Sequence, residues 1–277
     1  GSNTPPYATP ETAARNVQDA IDAVWKASAP AGVVEIAEGT YPVSSTLSLT
    51  TAVELRGAGR DKTILDRSAG TGQGVYMTSA LAAIRDLTLA GVTNNAMKGA
   101  GVQMTGGTLS GVKLLAPRCS STSDGIYGCG IYMTDGLVTN CIVSGATSAG
   151  GGWNYGTGVC MTGGTLTHTE ISDSHAVNHS CGTGVQISGG TMRYCQVLRN
   201  KADKNDSSHS TGGGIDLKGA ATVENCTVAS NQAFIAAGVY VHHSWATLRN
   251  SVVCDNRATG DLWIGDVGGS EWEEIDV

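Results

Sequence analysis

The stretch GGTLTHTEISDSHAVNHSCGTGVQISGGTMRYCQVLRN, residues 163–200, states one pattern twice. GGTLTHTEI at Gly163–Ile171 returns as GGTMRYCQV at Gly189–Val197, keeping the glycines, a threonine and the apolar positions while the polar ones change. Working outward, Gly-(Val/Ile)-x-(Met/Ile/Leu/Val) recurs as GVYM at Gly74, GVQM at Gly101, GIYM at Gly130, GVCM at Gly158, GVQI at Gly184, GIDL at Gly214 and GVYV at Gly238. A second alternating segment follows each, from AIRDLTL at Ala83 through LVTNCIV at Leu137 to TLRNSVV at Thr247. Apolar residues at period two, bounded by Gly, Asn and Ser, predict two strands per repeat separated by turns.

Units of 24 to 30 residues built from short strands cannot each bury an apolar face, so they stack into a solenoid. Repeats running the same way pair in parallel, and equivalent residues form ladders along the axis. Met77, Met104, Met133, Met161, Ile187, Leu217 and Val241 make one inward ladder. Leu87, Val112, Cys141, Thr169, Cys195, Cys226 and Ser251 make another, and Asn200, Asn231 and Asn256 form an amide stack suited to turns. The 39 glycines in 277 residues, about twice the usual share, fit a chain that turns this often.

These ladders resemble the right-handed parallel β-helix family, the pectate-lyase-like superfold. The fold class is therefore all-β, a right-handed parallel β-helix solenoid of about nine coils with an N-terminal amphipathic helix as cap. Thr9-Pro10-Glu11 reads as a helix start, with Val17, Ile21, Val24 and Trp25 on one face. The expected organisation is a tag scar and leader over 1–8, then one domain over 9–277: capping helix 9–27, coils 33–259, and a C-terminal cap or linker 260–277. The combination of this helix with VVEIAEGTY and GTL-x-x-C-x-V repeats looks like modules of large secreted or surface-attached bacterial proteins. That resemblance implies a secreted or cell-surface location and further domains in the same chain.

The formal charge of −7 and the lack of a clustered basic face argue against nucleic acid, and no apolar run of 18 residues is present to insert into a membrane. In catalytic members of the superfold the substrate lies along the outer face of the first sheet. Here the third-position column on that face is Tyr76, Gln103, Tyr132, Cys160, Gln186, Asp216 and Tyr240, and the fifth-position column ends in Lys218 and His242. Tyr76, Gln103, Tyr132 and Gln186, with Trp153 and Tyr155 from a variable loop, are the candidate glycan contacts, because aromatic faces and amides suit sugars. The first expectation is a module recognising a glycan, a neutral one given the acidic net charge. The alternatives are a polysaccharide lyase or glycoside hydrolase using Asp216, Lys218, Tyr240 and His242, and a non-catalytic structural stalk or adhesin segment.

As an enzyme site, Lys218, His242 or Tyr240 would serve as base for a uronic acid proton. Inverting hydrolysis would need a second carboxylate beside Asp216, brought by Asp203 or Asp206 from the preceding loop. The plainer reading of the four residues is a solvated, salt-bridged patch. No cofactor is predicted, with calcium the one compatible with the superfold, and His175, His179, Cys181 and Asp173 lack the spacing of a metal site. Cys119 and Cys129 bracket one loop and are the best candidate disulfide, whereas Cys141, Cys195 and Cys226 are expected as buried thiols.

Overall fold

A computed structural model describes residues 2–5, 7–26, 31–95, 97–121, 125–150, 152–203, 210–242 and 245–259. Within them the chain winds as a parallel solenoid: two sheets of nine strands, one of eight, one of seven and one of three, every pair parallel and joined coil to coil. The helix spans Val17–Lys26 and so is shorter than the expected 9–27. Asn16 is the physical cause, since its Oδ1 accepts the Asp19 N–H at 2.8 Å and caps the helix there. Upstream, Thr9–Thr12 closes a separate turn through Thr12 N–H to Thr9 O at 3.0 Å. The helix lies across the strands at Gly32–Ile36, Leu47–Leu49 and Val53–Gly57 and buries Ile21. Gln18 Oε1 accepts the Ser48 N–H at 2.9 Å, which satisfies a donor on the open edge of the first coil.

The first alternating segment of each repeat is one strand, as expected: Val75–Met77, Val102–Met104 and their equivalents form the eight-stranded sheet, called here the first-strand sheet. The second segment is two strands. Leu137–Thr139 and Ile142–Ser144, for example, belong to different nine-stranded sheets and meet at a corner. Asn140 forms that corner in the left-handed region at φ 52°, and Asp86, Gly111, His168, Tyr194, Asn225 and Asn250 hold the same place in other coils. Asn, Asp and Gly tolerate this conformation best, so the bend is written in the residue before the column Leu87, Val112, Cys141, Thr169, Cys195, Cys226 and Ser251. That column points into the corner, and all but Ser251 are buried. The parts of the variable loops near Cys119, Thr147, Ala176 and Lys201 are also ordered, as strands of the seven-stranded sheet.

The inward ladder from Met77 to Leu217 is fully buried, while Val241 is 47% exposed because, among the described residues, its strand has a paired neighbour on one side only. Six of the seven motif glycines, Gly74 to Gly214, are fixed by contact with the next coil. A Cβ on Gly184 would stand 2.6 Å from Gly214 O and from Val197 Cγ1, and 2.8 Å from Asn200 Nδ2. Next to it runs the amide ladder: Asn200 Nδ2 donates to Asn231 Oδ1 at 3.0 Å and Asn231 Nδ2 to Asn256 Oδ1 at 2.9 Å. The ladder also serves the backbone, with Asn231 Oδ1 accepting the Asn200 N–H at 2.9 Å.

Of the cysteines, Cys141, Cys195 and Cys226 are buried thiols as expected. Cys119 and Cys129 are not joined as the sequence suggested. Both are buried thiols in mutual contact, and Cys129 Sγ donates to Thr147 O at 3.2 Å. Residues 260–277, including the expected cap or linker, lie outside the described residues.

Candidate functional site

A second column of glycines creates a corner on the outside of the solenoid. Gly99, Gly128, Gly156, Gly182 and Gly212 all have φ between 56° and 65°, each two residues before a motif glycine. Glycine adopts this conformation most readily, with Ala236 at φ 48° in the same place before Gly238, and here it bends the preceding segment back against the outer face of the first-strand sheet. The result is a wall and a floor. The wall column is Lys98, Tyr127, Tyr155, Cys181, Thr211 and Ile235, in register from coil to coil. The floor column is Tyr76, Gln103, Tyr132, Cys160, Gln186, Asp216 and Tyr240.

The wall changes the character of the floor. Outward residues of a sheet face are expected in solvent, yet Cys160, Gln186 and Asp216 are 1%, 7% and 0% exposed. A Cβ on Gly182 would come within 2.9 Å of Asp216 Cβ, which shows how closely the backbone passes over the carboxylate. Burial pushes the Cys160 thiol up to about 12 and raises that of Cys181.

Asp216, Lys218, Tyr240 and His242 do converge. Asp216 Oδ1 lies 2.5 Å from His242 Nε2, and Asp216 Oδ2 lies 3.1 Å from Lys218 Nζ. Gln186 Nε2 donates to the same Oδ2 at 3.5 Å, and Cys160 Sγ donates to Gln186 Oε1 at 3.3 Å. Tyr240 stands edge-on to His242 with ring centroids 4.5 Å apart. Burial disfavours charge on Lys218, but the Asp216 carboxylate outweighs it and the ammonium is held above its usual range. The side chains of Lys218 and His242 are 26% and 27% exposed over a carboxylate that is 0% exposed. The plain reading of a solvated surface patch is therefore wrong: a buried carboxylate is not a screened surface ion, and it must be paired to remain in place.

The second carboxylate is absent from this group among the described residues. Asp203 is instead engaged with His175 at 2.9 Å and Lys201 at 3.2 Å, and Asp206 lies outside the described residues. One carboxylate facing an ammonium and an imidazole also differs from the cage of about six to eight oxygens that calcium requires. Among the described residues no cluster of three or more His, Cys, Asp or Glu side chains suits a metal ion. Asp173 pairs with Arg199 at 2.9 Å and the His179 ring lies tilted against Trp153, so the candidates near Cys181 are dispersed.

The aromatic contacts are rearranged relative to expectation. Tyr127 and Tyr155 stack on each other at 4.6 Å with planes 18° apart, and Trp153 continues beside Tyr155 at 6.4 Å. Lys98 Nζ stands 5.8 Å from the Tyr127 ring, and Lys218 Nζ 5.8 Å from the Tyr155 ring. The rings of Tyr127 and Tyr155 are thus engaged by their neighbours along the axis. Tyr76, Gln103 and Tyr132 stay half-buried on the floor, where Tyr132 meets Tyr127 edge-on. Lys98, Cys181 and the covering of Cys160 were not anticipated. The signal available was the repeated Gly-x-Gly at Gly99, Gly128, Gly156, Gly182 and Gly212, which marks a bend ahead of five of the seven motif strands.

No curated protein matches the chain. Among solved structures, the A-module of an Azotobacter vinelandii mannuronan C-5 epimerase is similar at 16% identity over 85% of this chain and 93% of that one, with a TM-score of 0.24. The model of the right-handed β-helix region matches residues 74–270. That span is well over half of the sequence and takes in every coil from the first motif glycine onward, and the chain accordingly belongs to the right-handed β-helix family.

Proposed function

We propose that this β-helix takes a polysaccharide lengthwise along the outer corner and moves a proton on it at Asp216, Lys218, Tyr240 and His242. The observation carrying this reading is the fully buried Asp216 carboxylate, which holds an imidazole and an ammonium at one point of an otherwise mostly uncharged face. A buried carboxylate is costly unless it is paired and hydrogen-bonded, and a group of ionisable side chains gathered in a corner is a candidate site of acid–base chemistry.

The chemistry that suits the group is β-elimination on a uronic acid unit. Lys218 neutralises the sugar carboxylate, which makes the adjacent C–H acidic. One of His242 and Tyr240 takes that proton, the electron pair forms the new double bond, the glycosidic C–O bond breaks, and the other delivers a proton to the leaving oxygen. Asp216 is a positioning residue, since it fixes His242 through Nε2 and Lys218 through Nζ. Hydrolysis with inversion fits less well, because it needs a second carboxyl group about 6.5 to 9.5 Å away.

Recognition without turnover is the second reading, favoured by the half-buried, uncharged floor at Tyr76, Gln103 and Tyr132. Incubation with a panel of polysaccharides, read by ultraviolet absorbance of unsaturated ends and by reducing-end assay, separates the two. Release that disappears in His242→Asn or Tyr240→Phe with the fold intact supports catalysis. Glycan retention with no product from any polymer, unchanged in those variants, leaves recognition as the function.

A further inference from the structure

The corner between the two nine-stranded sheets holds two stacked thiols. Arg193 pairs with Glu224 and Gln196 with Thr227, which sets Cys195 opposite Cys226 on the next coil, 31 positions further along the chain. Cys195 O accepts the Thr227 N–H at 2.9 Å, and the two thiols are in hydrogen-bond contact with each other. Both are buried, at 1% and 2% exposure. One strand spacing of about 4.8 Å falls inside the Cα separation of about 4.4–6.8 Å that a disulfide spans. The rest of the column does not offer this. Thr169 stands between Cys141 and Cys195, which puts those two about 9.6 Å apart, and Ser251 follows Cys226.

The pair lies where a covalent tie has an effect. Cys195 shares a coil with Gln186, and Cys226 shares the next coil with Asp216 and Lys218. The last described coil covers Cys226 on its other side: Ser251 Oγ accepts the Cys226 N–H at 3.1 Å, and the Val252 N–H donates to Cys226 O at 2.8 Å. Among the described residues the strands of that coil are paired on one side only, and Val241 and Val252 are 47% and 57% exposed. A stack held by nearest-neighbour contacts opens first at such an end, which uncovers Cys226 before Cys195. The hydrogen bond from Cys195 also holds the Cys226 thiol below its ordinary value, so Cys226 is the first to become a thiolate.

We infer that Cys195 and Cys226 are a site of reversible disulfide formation that locks the coil of Asp216 to the coil of Gln186. The oxidant is a low-molecular-weight disulfide such as oxidised glutathione. The Cys226 thiolate attacks one of its sulfurs and releases the first small thiolate; the Cys195 thiolate then attacks the Cys226 sulfur of the mixed disulfide and releases the second. The two protein thiols lose two protons and two electrons, and the external disulfide takes them up as two thiols. The lock is independent of any activity at the outer corner.

The test is incubation of the folded whole protein with oxidised glutathione at pH 8, then alkylation, trypsin and mass spectrometry without reductant. Cleavage after Arg193, Arg199, Lys218 and Arg249 leaves Cys195 in the peptide 194–199 and Cys226 in the peptide 219–249, with no other cysteine in either. The expected product is these two peptides joined, two hydrogens lighter than their sum and separated again by dithiothreitol. The thermal midpoint of the oxidised protein should rise by roughly 5 °C or more, as closing a loop of this length predicts. That rise should vanish in Cys195→Ala and Cys226→Ala and survive in Cys254→Ala. No joined peptide, a glutathione adduct that stays on Cys226, or a bond from either cysteine to Cys254 overturns the inference, and this mapping decides it in wild type even where a variant fails to fold. A joined peptide with an unchanged midpoint, or a rise that persists in Cys226→Ala, overturns the lock.

Discussion

His242 Nε2 meets Asp216 Oδ1 at 2.5 Å although the two residues are 26 positions apart in sequence. The parallel register pairs Asp216 with Tyr240, and His242 follows Tyr240 by two residues on the same side of the sheet. The contact therefore depends on the repeat length between the last two coils, and its strength on the wall that excludes water from Asp216.

Asp216→Asn should test that dependence. The substitution keeps the shape but leaves Lys218 and His242 with a neutral partner, so stability should fall by about 1–3 kcal/mol. Any polysaccharide turnover should fall by on the order of 100-fold or more, since base and cation lose their orientation. Urea unfolding and the product assay measure the two effects. An Asp216→Asn variant as stable and active as wild type would show that the carboxylate organises nothing.

Gly182→Ala should be worse than its size suggests. A side chain at φ 65° costs about 1–2 kcal/mol, and its Cβ would stand 2.9 Å from Asp216 Cβ, so the floor must shift. The expected outcome is loss of activity or glycan affinity together with a lowered unfolding midpoint. A Gly163→Ala control, at a glycine outside the left-handed region and away from the site, separates local displacement from general destabilisation.

The thiols predict an alkaline limit. Burial pushes Cys160 up to about 12 and Cys141 up to about 11 from an unfolded value of 9.0. Because the folded values are raised, the stabilising contribution is fully present below pH 9 and is lost as pH rises toward 11 to 12, when the unfolded chain ionises first. The fall should approach about 1.4 kcal/mol per pH unit for each thiol. Urea midpoints at pH 8, 9 and 10 should decline in wild type and decline less steeply in a Cys141→Ala, Cys160→Ala double variant, in which the raised thiols of Cys129, Cys181 and Cys195 remain. At pH 8 a thiol reagent should label Cys254, the one cysteine that is not buried, ahead of the other seven.

Asn231→Ala should break the amide ladder at its centre. Asn231 Oδ1 accepts from Asn200 N and Nδ2, and Asn231 Nδ2 donates to Val197 O at 2.9 Å, all in the interior. Orphaned buried groups cost about 1–3 kcal/mol each, so the loss should exceed that of Asn256→Ala at the half-buried end of the ladder. Denaturant unfolding of the two variants side by side gives the comparison.

The solenoid itself was legible because repetition multiplies a weak signal. One GVQM segment could be a strand or a buried piece of helix, but seven copies at similar intervals, each with Gly ahead of β-branched residues, admit only stacked parallel strands. The inward ladders of Met77 to Leu217 and of Leu87 to Cys226, and the Asn200, Asn231 and Asn256 stack, follow from that stacking alone. The corner at Asn140, Asn225 and Asn250 was equally present in the sequence as a recurring left-handed residue type, although alternation on both sides of it reads as one continuous strand.

What the sequence determined by itself was thus the local periodicity and everything the parallel register imposes on it, including the nearness of Asp216 to Tyr240 and of Lys218 to His242. Only the tertiary structure decided which outward residues remain wet. Alternation assigns a side to each residue but cannot say what else lies on that side, and the bends at Gly156 and Gly182 lay a second strand over Cys160, Gln186 and Asp216. Burial of a charge depends on the dielectric contributed by distant segments, and these bends turn an outward-facing ion pair into a desolvated cluster.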